Sequence, residues 1–153
     1  MNTTYNLKTC LLYGSDNFSE DNPALIDLQS AQCSHSFKEF YKLVDKFESI
    51  LINKGIKKGS HVLICGKNST ELVAMIVAVW RTASIVIPVD YRMTVNEIVN
   101  CAKSVNSSLV VLSKDIDLRA VKEKLEELPV YSLEELLDCG ESECSSSVSD
   151  PDD

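Results

Sequence analysis

Apolar residues along this chain follow two rhythms, a helical spacing of three to four and short unbroken runs, and the switches between them mark out its elements. Phe37, Phe40, Tyr41, Val44, Phe47 and Leu51 fall at i, i+3, i+4 and i+7 positions and predict one apolar stripe along a helix. Ser36 opens it, because a serine three residues before Glu39 forms a reciprocal capping box. Gly55 ends it, in the left-handed conformation that glycine reaches without steric cost. Lys57, Lys58 and Gly59 then predict a tight turn into a strand from His61 to Cys65. Gly66 and Lys67 form a loop, and Asn68 is the expected cap of the next helix, with Glu71 at its third position. Leu72 to Trp80 is apolar on nearly every side, which predicts a buried helix. Ser84 to Val89 is an apolar run without alternation, the pattern of a parallel strand covered on both faces. Pro88 sits near its end, where a missing amide costs little.

The same rhythm continues. Thr94 and Glu97 predict a second capping box and a helix to about Val105, and Ser108 to Leu112 a third parallel strand. Asp117 to Leu128 reads as a charged amphipathic helix and Val130–Tyr131 as a short strand. Ser132 with Glu135 makes a last box before a short helix. Upstream, Met1 to Ser19 has weak periodicity, extended or with a short helix around Leu11 and Leu12. Ala24 to Asp27 predicts a short strand, with Ser30 to Cys33 as its hairpin partner. Alternating strands and helices predict an α/β fold, a layered, mostly parallel β-sheet flanked by helices. Three segments follow: an N-terminal extension over 1–22, an α/β segment over 23–139, and an acidic, Ser-rich tail over 140–153 that lacks periodicity and is expected to be disordered.

Charge sharpens this picture. Residues 1–113 carry 11 Lys/Arg against 10 Asp/Glu, whereas residues 114–153 carry 4 against 13. No basic stripe exists to release phosphate counterions, so nucleic acid is excluded as an expected partner. The longest apolar stretch stops at Arg81, short of the roughly 20 residues a membrane span requires, so no membrane association is expected. Met1 to Cys10 lacks a basic region followed by an apolar core, and a cytoplasmic location follows as the default expectation. The six cysteines, Cys10, Cys33, Cys65, Cys101, Cys139 and Cys144, form no Cys-x-x-Cys pair; only Cys139 and Cys144 come near one another, and His35 and His61 lie far from that pair in sequence. They read as free thiols rather than metal ligands, with Cys65 packed as a small apolar group.

Parallel sheets bind ligands at the carboxyl ends of their strands, so the strand-to-helix loops are the first candidates. Gly66-Lys67-Asn68-Ser69 offers amides at a helix N-terminus and a lysine. Its single glycine precedes the lysine, so it matches neither a dinucleotide-binding nor a Walker phosphate loop, and a capped turn is the simpler reading. Asp90-Tyr91-Arg92-Met93 places an acid and an arginine beside an aromatic, with Asp90 suited to bind loop amides. Lys67 and Lys114 both follow strands and could reach a phosphate. No nucleophile elbow occurs. The residues therefore nominate no catalytic, cofactor-binding or metal-binding group.

Taken in order, the motifs resemble the N-terminal segment of the adenylate-forming ligases, the family of acyl-CoA synthetases, nonribosomal peptide synthetase adenylation domains and luciferases. Ser36-Phe37-Lys38-Glu39-Phe40 is similar to the family's first core motif, a Thr/Ser-Tyr-x-Glu-Leu helix start. Gly55, Gly59, Val62, Asn68 and Ser69 match its G-v-x-x-G-d-x-V-a-i-x-x-x-N-s pattern. Val79 to Asp90, VWRTASIVIPVD, is similar to L-K-A-G-a-x-x-v-P-l-D, and Ser107 to Ser113 resembles a following a-k-x-l-i-t strand. The likeness runs from about Pro23 to Tyr131. It implies the incomplete N-terminal part of an enzyme's large domain, with ATP and magnesium as cofactors and a carboxylic acid as substrate only in a full-length member. The family's Ser/Thr/Gly-rich phosphate loop would follow a segment like Ser145 to Asp153, and Ser145-Ser146-Ser147 is no substitute for it. The expectation is a truncated ligase, inactive alone. The alternative is a stand-alone, non-catalytic interaction module of that descent, its incomplete sheet covered by self-association or by a partner protein. One departure carries a structural consequence: the glycine of the second motif is Ala83 here, which must either take a negative φ or bear a steric cost.

Overall fold

The structure is a computed structural model that describes residues 19–26 and 34–144, with side chains described as far as Asp138. Two short strands open it, β1 (Pro23–Ile26) and β2 (Ser34–Ser36), paired antiparallel with Leu25 opposite His35. The expected return strand, Ser30 to Cys33, lies outside the described residues, and Pro23–Ile26 pairs instead with the three residues that lead into the first helix. That helix, α1 (Phe37–Asn53), carries the predicted capping box: Glu39 N–H donates to Ser36 Oγ and Ser36 N–H to the Glu39 carboxylate. Its buried stripe is Phe40, Val44, Phe47, Ile50 and Leu51. Gly55, just past its end, has φ +79°.

The main sheet contains β3 (His61–Cys65), β4 (Ile85–Val89), β5 (Leu109–Leu112) and β6 (Val130–Ser132) in the order β4-β3-β5-β6, all parallel. Four helices complete the described residues: α2 (Thr70–Arg81), α3 (Val95–Ser104), α4 (Leu118–Lys124) and α5 (Leu133–Cys144). Side chains alternate across a strand, so β3 and β5 feed two cores. Val62, Ile64, Leu109 and Val111 pack among α1, α2 and α5, against Phe47, Leu51, Met75 and Leu136. Leu63, Cys65, Val110 and Leu112 pack on the opposite face against Ile98, Ala102 and Val121 of α3 and α4. A clasp ties α2 to α1, in which the Arg81 guanidinium lies 2.7 Å from both Asp45 and Glu48.

Five expectations need correction. Ser69, not Asn68, caps α2. Ser69 is the residue in extended conformation, φ −152°, and its hydroxyl accepts from Leu72 N–H, which puts Glu71 at the second helical position and rules out a box. Helix α2 is buried through Leu72, Ala74, Met75, Val77, Ala78 and Val79, but Trp80 at its end is exposed. Strand β4 is not covered on both faces: among the described residues it is an edge strand with no buried residue, and Ile85 is 48% exposed. Helix α4 stops at Lys124 rather than Leu128: Leu125 leaves helical geometry at φ −120° and ψ 46°, and a turn over 125–128 takes up the chain ahead of Pro129. At the C-terminal end, α5 continues through Cys144, so helix extends into the segment expected to be disordered from Gly140. A glycine inside a helix costs about 1 kcal/mol relative to alanine and does not by itself stop it. Residues 1–18 and 145–153 lie outside the described residues. No helix among the described residues is long and apolar enough to cross a membrane.

Candidate functional site

Parallel pairing places Cys65 opposite Leu112, so the loops that leave β3 and β5 start side by side. Ser113 N–H donates to Cys65 O at 2.9 Å and continues the ladder one residue past the strands. The approach is close enough to require glycine at position 66. A Cβ there would meet Ser113 Cβ at 2.7 Å and Ser113 Oγ at 2.8 Å, inside van der Waals contact. These two loops and the start of α5 enclose a cleft of about 440 Å³, lined by Lys67, Ser69, Ser113, Lys114, Asp115 and Glu134 among others. A second cavity of about 480 Å³, between the end of α3 and α4, includes Asn106 and Ser107 just ahead of β5. It lies at the wrong end of the sheet for a parallel-strand ligand site.

The structure brings both phosphate-reach candidates, Lys67 and Lys114, to the first cleft. Lys67 Nζ lies 3.6 Å from Asp115 and 5.6 Å from the centre of the Tyr91 ring, so it bridges all three strand-end loops. Glu71, Asp115 and Glu134 also line the cleft, three carboxylates against two lysines. The Ser69 hydroxyl accepts from Leu72 N–H, as a capped turn requires. Ser113 Oγ is buried and has no hydrogen-bond partner among the described residues. Sequence reading missed Ser113 and Glu134 as site neighbours. Topology was the available signal for Ser113, as the first residue after a central strand. Glu134 reaches the cleft only because β6 lies beside β5.

The second loop is closed on itself. Arg92 donates through Nε and Nη2 to both carboxylate oxygens of Asp90, at 2.6 Å for the shortest contact, and Arg92 N–H donates to Oδ1 at 2.9 Å. The Arg92 side chain and its amide hold the Asp90 carboxyl down at about 2, and the same contacts raise Arg92. The loop-amide role expected for Asp90 is thus observed. An acid this firmly ionised is a poor proton acceptor at neutral pH. Beneath it, Cys65 Sγ lies 3.5 Å from Asp90 O, and burial, with smaller contributions from Asp90 and Cys101, pushes the thiol up to about 11. That makes Cys65 a packing group rather than a nucleophile. Among the described residues no group of three or more His, Cys, Asp or Glu is placed to hold a metal ion.

The profile of a protein family described as AMP-binding enzyme matches residues 15–153. No curated protein sequence matches the chain. Several solved structures share the fold. The O-succinylbenzoate coenzyme A synthetase MenE of Bacillus subtilis, in complex with AMP, superposes with a TM-score of 0.64 at 13% identity over 71% of this chain and 28% of that one. A putative long-chain-fatty-acid CoA ligase of Rhodopseudomonas palustris gives 0.60 at 23% identity over 68% and 30%. The N-terminal subdomain of NpsA from Klebsiella oxytoca, in complex with 3-hydroxyanthranilyl-AMSN, gives 0.63 at 19% identity over 77% and 27%. The chain therefore spans less than a third of the length of these structures.

Proposed function

The chain belongs to the AMP-binding enzyme family, and from that premise we propose that it forms the opening part of the large domain of an ATP-dependent ligase that activates a carboxylic acid as its acyl-adenylate. The observation that carries this reading is the family match across residues 15–153, on a fold shared with a CoA synthetase, a CoA ligase and an NpsA subdomain. ATP and magnesium are the cofactors such an enzyme uses. The residues at the strand-end cleft do not fit a triphosphate. Three carboxylates face two lysines, one of which already has an acidic neighbour, and repulsion between like charges at this range opposes a polyanion. No step of the reaction is therefore assigned to a side chain of this chain. Its part is architectural: β3 to β6 and their packed helices form a wall on which other segments of a large domain can be organised.

On this reading the chain alone is inactive. Supplied with magnesium, ATP and a panel of aliphatic, aromatic and amino acids, the purified protein is expected to show no ATP–pyrophosphate exchange above a buffer control. Exchange that disappears in a Lys67→Ala, Lys114→Ala double variant would overturn the reading, because it would place phosphate binding in the cleft itself. The coding sequence beyond Asp153 gives a separate check. An in-frame continuation into a Ser/Thr/Gly-rich loop is expected for a ligase large domain, and a stop codon there would count against it.

A further inference from the structure

We draw no further inference here: the strongest candidate, the cleft between the N-terminus of α2, the loop after β5 and the start of α5, where the buried Ser113 hydroxyl has no partner among the described residues, belongs to the candidate site already described, and with Glu71, Asp115 and Glu134 set against Lys67 and Lys114 nothing in the structure shows what would fill it.

Discussion

Ala83 occupies the turn from α2 into β4 with φ +57°, in the left-handed region. Its carbonyl accepts from Gly59 N–H at 3.0 Å and its own amide donates to Trp80 O, so hydrogen bonds on both sides hold the conformation. A side chain in that region costs on the order of 1–2 kcal/mol. Of the two outcomes open to alanine in place of the family's glycine, the steric cost is the one realised. Glycine would remove it but would add about 0.5–1 kcal/mol of backbone entropy to be lost on folding. The Ala83→Gly variant is therefore expected to be more stable by roughly 0.5–1 kcal/mol, read as a higher urea midpoint at unchanged slope. A lower midpoint would mean the turn carries no strain. Gly66 presents the opposite case: its φ is unremarkable, and the need for glycine comes from Ser113 across the ladder. Neither constraint is local. Each depends on where a partner strand lies, which explains why the residue type was visible in the sequence and its reason was not.

At the scale of elements, helix starts were the most legible part of the chain, because a capping box is read from residues three apart. Ser36–Glu39, Thr94–Glu97 and Ser132–Glu135 all form as spaced. Asn68-Ser69 defeated the same logic, since two good caps stand side by side and only the backbone decides between them. The geometry decides for Ser69. Its replacement by alanine is expected to cost about 1 kcal/mol, with Asn68→Ala costing less than half of that; equal costs in chemical denaturation would contradict the assignment. The box at α5 adds a pH dependence. Partial burial works to raise the Glu135 pKa, but the hydrogen bond from Lys122, the Ser132 amide and the charges of Lys122 and Lys54 outweigh it, and the carboxyl ends below its ordinary 4.5. A carboxyl held low in the folded state stabilises above its unfolded value and loses that contribution as pH falls through the folded one. Glu135→Gln should thus be less stable than the parent at pH 7 by roughly 0.5–1 kcal/mol, modest because the Lys122 pair is two-fifths exposed. The gap should close as pH drops below 4.5, and a gap that stays constant to pH 3 would show that charge plays no part.

For the whole molecule, the order β4-β3-β5-β6 settles what the run Ile85–Val89 could not. A run of apolar residues predicts a strand but not its position in the sheet, and among the described residues β4 lies at an edge. The candidate loops were legible because parallel topology puts them at strand ends. The cleft they share was not, because residues from 67 to 134 meet only once the strand order is known. Edge position also gives Pro88 a meaning. Ile85 N–H donates to Ser60 O, so by the alternation of a parallel ladder residues 85, 87 and 89 bond inward to β3, and residues 86 and 88 point their backbone groups outward. Proline at 88 leaves Val86 N–H as the one outward donor of the strand. Native sheets commonly blunt an edge in this way against pairing with other chains. Replacing Pro88 with valine restores a second outward N–H on a strand whose Ile85 is already half exposed. The variant is expected to keep the parent's unfolding midpoint, since the inward ladder is untouched, yet to self-associate at concentrations where the parent does not. Sedimentation velocity across a concentration series would show this as a rising weight-average sedimentation coefficient for Pro88→Val alone. Superimposable profiles for the two proteins would mean that something other than the missing amide protects this edge.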